Sequence, residues 1–276
     1  MLVLVFVGCG SAASDGADGF VRVDGRGFAV NCQGEGSPTV VIDAGLGEAS
    51  SEWAEIAVEL SKTVPVCTFD RAGYGSSDPG PMPRTPRANA DDLRALLAAA
   101  GIRAPFVLVG HSLGGLNAQA YWRQYPEEVA GLVLFDPPPR AWLERRRFPG
   151  LWNMAVAAGE ELSGGAEAAQ NQGSPDAVRL TAMASEHNAM LRTGADAAAV
   201  ESFEALPLLV VAAERPNPAF GDSAAAYQTF WIDENRRLAN RSSRGLLQVL
   251  DSVGHSMNRE APDAVVALIL EFVESL

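Results

Sequence analysis

The stretch Phe106-Val107-Leu108-Val109-Gly110-His111-Ser112-Leu113-Gly114-Gly115 decides how this chain is read. Four consecutive apolar residues, Phe106 to Val109, have the pattern of a strand buried on both faces. Gly110, Ser112 and Gly114 then spell a Gly-x-Ser-x-Gly turn, and the Ala/Gln/Tyr-containing run behind it suits a helix. A serine on so sharp a strand-to-helix turn is held in a strained conformation with its hydroxyl presented, and glycine on either side lets strand and helix approach without a Cβ clash. A bare Gly-x-Ser-x-Gly arises by chance about one time in five in a chain this rich in glycine and serine, so the flanking elements carry the specificity. Ser112 is the candidate nucleophile.

A serine hydroxyl needs a neighbouring base to take its proton. Only three histidines are available, His111, His187 and His255. His255 lies in Val253-Gly254-His255-Ser256, between the last predicted strand and the last predicted helix. That position completes the chain order Ser…acid…His of hydrolases built on such an elbow, and His255 is the candidate base. His111 sits inside the turn and is expected to be a packed, hydrogen-bonded structural residue. His187 is expected on the surface of a helix.

Attack on a carbonyl produces an oxyanion that backbone N–H groups must meet. The residue after the nucleophile, Leu113, supplies one donor. The glycine-rich loop Asp43-Ala44-Gly45-Leu46-Gly47 offers the N–H of Leu46 as the second.

Outward from the elbow, strand-like and helix-like segments alternate. A hairpin is predicted from Phe20 to Cys32, with strands at Thr39 to Asp43, Val64 to Asp70, Val129 to Phe135, Pro207 to Ala213 and Gly245 to Leu250. Helices are predicted near Ser51 to Ser61, Arg87 to Ala100 and Pro262 to Leu276, and behind Ser112. This alternation predicts an α/β fold, a mostly parallel sheet with helices on both faces. From Pro139 to Leu206 the pattern changes to Ala-rich helical spacing, with turn signals at Gly164-Gly165 and Gly173-Ser174-Pro175.

At 276 residues, 47% hydrophobic and 20% charged, the chain has the composition of a globular protein with a sizeable core. Its formal net charge of −13 argues against nucleic acid and anionic membrane surfaces as partners.

With the elbow, His255 and the run Asp70-Arg71-Ala72-Gly73-Tyr74-Gly75-Ser76-Ser77, the chain resembles the α/β-hydrolase superfamily, and within it bacterial members reading Asp-Arg-x-Gly-x-Gly-x-Ser after the fourth strand. The resemblance runs from about Phe20 to Leu276. It implies an eight-stranded, mostly parallel sheet formed by residues 20–136 and 207–276, a helical cap at 137–206 inserted after the sixth strand, and neither cofactor nor metal. Asp70 and Arg71 are expected to form a structural turn pair. Many relatives carry His-Gly before the oxyanion residue where this chain has Ala44-Gly45, which keeps the backbone donor but removes a polar contact. In most relatives the acid follows the seventh strand, where this chain offers Glu214, with Asp222 further along. In others it follows the sixth, where Asp136 stands, and Asp136 is preferred. Serine as nucleophile argues against the haloalkane dehalogenase and epoxide hydrolase chemistries, which use aspartate there.

The resulting expectation is a serine carboxylesterase acting on small to medium apolar acyl esters, with Trp142, Trp152 and Met154 lining the site. Perhydrolase, amidase or peptidase, and carbon–carbon hydrolase activities share the same triad. A non-catalytic ligand-binding member is the alternative of a different class. The superfamily sheet also makes the strands of Cys32 and Cys67 neighbours, so a disulfide between them is geometrically allowed, with two buried thiols as the alternative.

The apolar run Met1 to Val7, ending at Gly8-Cys9-Gly10, resembles the end of a bacterial lipoprotein signal, with residues 1–19 as leader and linker and Cys9 as the lipidated residue. Export, with lipid anchoring at the cell envelope or secretion, is therefore expected, against a cytoplasmic alternative, and export would favour the disulfide.

Overall fold

In a computed structural model, which describes residues 19–138, 148–197 and 200–276, the elbow strand lies at the centre of the sheet. In chain order the elements are β1 (Gly19–Val23), β2 (Arg26–Gln33), β3 (Thr39–Asp43), α1 (Ala54–Leu60), β4 (Val66–Phe69), α2 (Pro86–Ala99), β5 (Phe106–His111) and α3 (Leu113–Gln124). There follow β6 (Val129–Phe135), α4 (Pro149–Asn171), α5 (Ala177–Ala197), β7 (Leu208–Ala213), α6 (Ala224–Ala239), β8 (Gly245–Leu250), α7 (Met257–Glu260) and α8 (Pro262–Glu274).

The eight strands are ordered β1-β2-β4-β3-β5-β6-β7-β8. β2 runs antiparallel to both β1 and β4, and every other pairing is parallel. All six residues of β5 are buried, as expected of a strand covered on both faces. Strand alternation divides its side chains. Phe106 and Leu108 join Val41, Leu132 and Val210 beneath α2 and α3. Val107 and Val109 join Val40, Ile42, Val133 and Val211 beneath α1 and α8.

Strand order reverses between β3 and β5, because the chain leaves β3 toward β4 and returns to the other side of β3 as β5. In open α/β sheets the crevice at the carboxyl ends of strands flanking such a reversal is where ligands bind. Asp43 at the end of β3 pairs with Gly110 near the end of β5, so the glycine-rich loop and the elbow emerge side by side.

Cys32 and Cys67 face each other across β2 and β4 and are joined by a disulfide. Gly19, expected in the leader, begins β1. The remainder of that leader, Cys9 included, lies outside the described residues.

Between β6 and β7 the described residues form the helices α4 and α5. The turn expected at Gly164-Gly165 is absent, since α4 runs unbroken through both. Each glycine costs about 1 kcal/mol against alanine inside a helix, which the surrounding Ala, Glu and Leu residues offset. His187 is likewise not on the surface. It is 7% exposed and bonds through Nε2 to the Ala155 carbonyl at 2.8 Å, tying α5 to α4 where Gly159 admits a close approach. Its helix is packed on several sides, against α4, α2 and α3, and hydrophobic spacing alone does not reveal a second buried face.

Candidate active site

Ser112 sits at the junction of β5 and α3 with φ 50° and ψ −117°. A conformation so sparsely populated costs about 1–3 kcal/mol and persists only where its surroundings enforce it. Here the Ser112 N–H donates to the Phe135 carbonyl at 2.9 Å, and the Ser112 carbonyl accepts from Gly115 N–H at 2.9 Å. The flanking glycines are obligatory. A Cβ at Gly110 would lie 2.5 Å from the Gly114 carbonyl oxygen, and one at Gly114 would lie 2.0 Å from that of Asp43.

Asp136 follows β6 directly and also has positive φ, 46°. Its carboxylate is 3% exposed, and its oxygens are divided between two tasks. Oδ1 accepts from the Ala213 N–H and the Trp231 indole N–H, each at 3.0 Å. Oδ2 lies 2.6 Å from Nδ1 of His255. A carboxylate so placed accepts the Nδ1 proton and leaves the Nε2 lone pair of the neutral ring free. Burial by itself lowers the imidazole pKa, but the hydrogen bond and negative charge of Asp136 outweigh it, and His255 is held above its ordinary 6.5.

The other carboxylates considered for this role are elsewhere. Glu214 accepts from the Ser252 N–H at 2.7 Å and fastens the turn after β8, and Asp222 is exposed. The turn after β7 directs its acid away from the imidazole, whereas the residue after β6 lies beneath it.

His111 braces the same loop from below. Its Nε2 donates to the His255 carbonyl at 2.8 Å, and its Nδ1 faces Glu48 Oε2 at 3.2 Å. Burial pushes the Glu48 carboxyl up, but the hydrogen bond and charge of His111, with donors from Gly45 and Trp53, bring it down to about 2. Glu48 therefore stays ionised and holds the Gly45 N–H at 2.9 Å.

Ser112, His255, Asp136 and the loop Gly45-Leu46-Gly47 all line one cavity of about 470 Å³. The amides of Leu46 and Leu113 make no hydrogen bond among the described residues, nor does the Ser112 hydroxyl. Two uncommitted donors beside a presented serine suit the stabilisation of a tetrahedral oxyanion. Serine–base hydrogen bonds are often long without substrate and tighten when it binds.

The apolar wall differs from expectation. Met190, Phe220, Tyr227 and Trp231 line the cavity, while Trp152 and Met154 do not. Both lie on α4, whose buried residues Leu151, Gly159, Ala166 and Ala169 face inward and leave Met154 45% exposed. Trp142 lies outside the described residues. The i,i+4 pair Tyr227 and Trp231 was the available signal, but such a pair reads equally well as plain helix packing.

Asp70 and Arg71 do not pair with each other. Asp70 accepts from Ser50 and Ser76, while Arg71 turns the other way into a buried cluster with Asp43 and Glu186. Among the described residues no group of His, Cys, Asp or Glu is arranged to hold a metal ion.

Residues 38–186 match the family model described as the alpha/beta hydrolase fold, and the chain belongs to that family. The uncharacterized protein YqjL of Bacillus subtilis is 30% identical over 105 residues, 38% of this chain and 42% of YqjL. The (lyso)-N-acylphosphatidylethanolamine lipase of Mus musculus is 34% identical over 134 residues, 46% of this chain and 39% of the lipase. The matches thus span less than half the length of these curated relatives. A thermophilic esterase from Thermogutta terrifontis superposes with a TM-score of 0.68 at 22% identity, over 93% of this chain and 97% of that one. The enol-lactonase from Burkholderia xenovorans LB400 superposes with a TM-score of 0.66 at 20% identity, over 92% and 99%.

Proposed function

We propose that this protein is a serine hydrolase, specifically a carboxylesterase for small to medium apolar acyl esters. The observation that carries the reading is the 2.6 Å contact between His255 Nδ1 and Asp136 Oδ2 at the cavity onto which Ser112 opens. His255 Nε2 takes the proton of Ser112 as Oγ attacks the ester carbonyl, and the Leu46 and Leu113 amides receive the oxyanion. Collapse expels the alcohol, which takes its proton from His255, and leaves an acyl-serine. Water, losing a proton to the same imidazole, then attacks the acyl carbonyl, and the bond to Ser112 Oγ breaks as His255 returns that proton to the serine and the acid is released. Asp136 orients the imidazole and stabilises the imidazolium. Met190, Phe220, Tyr227 and Trp231 supply an apolar wall for the acyl chain. The names lipase, esterase and enol-lactonase borne by similar proteins agree with an ester carbonyl as electrophile.

A panel of chromogenic esters graded in acyl length, set against anilides, a carbon–carbon hydrolase substrate and a peroxide assay, tests the reading. Esters of short to medium chain should be turned over with a pre-steady-state burst of alcohol. Turnover confined to anilides or carbon–carbon substrates would overturn it.

We also propose export with lipid anchoring through Cys9. The lipoprotein-like leader supports this, as does the Cys32–Cys67 disulfide, a bond that persists in oxidising compartments. Radiolabelled palmitate should enter the native protein expressed in a bacterial host but not Cys9→Ser. Equal labelling of both would refute the anchor.

A further inference from the structure

Arg71 reaches the oxyanion loop from beneath and is wholly occupied there. Its Nη1 donates to Asp43 Oδ1 at 2.7 Å and to the Ala44 carbonyl at 2.6 Å, and its Nη2 donates to the Gly45 carbonyl at 2.9 Å. The Gly45 carbonyl and the Leu46 N–H belong to one planar trans peptide and point in opposite directions. Holding the carbonyl down on Arg71 therefore aims the Leu46 N–H away from it. Asp43 extends the arrangement to the second donor, because its Oδ2 accepts from Asn117 at 3.0 Å, one turn into the helix that Leu113 begins.

What holds Arg71 is Glu186, on α5 of the helical insertion and 115 residues away in sequence. The carboxylate grips the guanidinium side-on, with Oε1 2.8 Å from Nε and Oε2 3.1 Å from Nη2. It also accepts from the Tyr74 hydroxyl at 2.5 Å and from Asn89 Nδ2 at 2.9 Å. The Tyr74 hydroxyl in turn accepts from the Gly47 N–H at 3.4 Å. Glu186 thus reaches both sides of Leu46, through Arg71 to Gly45 and through Tyr74 to Gly47. It is 1% exposed and lies off the cavity wall.

We infer that Glu186 is a positioning residue for the oxyanion hole, through which the helical insertion sets the aim of the Leu46 N–H. This rests on the serine-hydrolase reading above. Leu46 serves the oxyanion and not the ground-state ester, so mis-aiming it lowers kcat and leaves KM in place.

The test compares wild type with Glu186→Gln, which keeps the shape and removes the charge, and with Tyr74→Phe, which removes only the hydroxyl. Each is assayed for kcat and KM on a p-nitrophenyl ester and for inhibition by an alkyl trifluoromethyl ketone, whose serine adduct places an oxyanion in the hole. Glu186→Gln should lose about 10–100-fold in kcat, the scale of an ångström-sized misplacement, and the ketone should weaken by a matching factor with KM within about twofold. Tyr74→Phe should shift both in the same direction by a smaller factor, and it decides the matter if Glu186→Gln does not fold. Unchanged kcat and ketone affinity in the folded variants would overturn the inference while leaving the esterase reading intact, and so would a loss of kcat without weaker ketone binding. A wild type that neither hydrolyses esters nor reacts at Ser112 would sink both.

Discussion

Asp136 and Asp43 occupy equivalent places in the fold. Asp43 ends β3 and Asp136 directly follows β6, both at the carboxyl edge of the sheet, and each is 3% exposed. They differ in what they face. Asp136 meets an imidazole whose side chain is 42% exposed at the cavity, a partner that can gain and lose a proton near neutral pH. Asp43 meets Arg71, sealed at 3% side-chain exposure. Burial disfavours the charge of Arg71, but Glu186 and Asp43 overcome this and hold it permanently cationic. The partner thus suits one buried carboxylate to the proposed proton transfer and the other to fixed geometry.

Ser112→Ala should lower kcat by about 10⁶-fold, the loss seen when a triad nucleophile is removed, with thermal stability retained. Asp136→Asn should cost about 10⁴ in kcat through loss of the correct tautomer, measured by steady-state ester hydrolysis. Glu214→Gln, at a carboxylate that holds the Ser252 N–H and does not line the cavity, should stay within about twofold of wild type. Equal losses in those two variants would break the assignment of Asp136. Arg71→Met should instead unfold readily, costing about 3–5 kcal/mol in urea denaturation because Asp43 and Glu186 are left buried without their cation.

Much of this was legible in the sequence. Buried strands announce themselves as apolar runs, and the elbow is legible because Gly110 and Gly114 have no substitute where backbones come within Cβ distance. His255 was readable by elimination among three histidines. The preference for Asp136 over Glu214 came from the family resemblance alone, because nothing local to either residue records which way a turn aims its side chain. Glu186 was invisible for a different reason: a buried ion pair spanning 115 residues leaves no periodic trace. His187 and the Gly164-Gly165 turn were misread where tertiary packing outweighed local preference.

Two smaller effects sharpen the comparison further. Replacing Cys32 and Cys67 by alanine should lower stability by about 2–4 kcal/mol without changing kcat, since β2 and β4 lie away from the cavity. In the proposed mechanism His255 acts as the neutral ring, and its folded-state pKa is raised. The acid limb of kcat/KM should therefore fall at a pH above 6.5, and Asp136→Asn should move that limb downward. The stabilising contribution of this pair has the opposite sense, present in full below the unfolded value and lost as pH rises through the folded one.

The most direct test of the central claim is intact-protein and peptide mass spectrometry after treatment with a fluorophosphonate. The account predicts a single stoichiometric adduct on the peptide carrying Ser112, formed far more slowly in Asp136→Asn and absent in Ser112→Ala. No adduct on the folded wild type, or an adduct that persists when Ser112 is replaced, would contradict it.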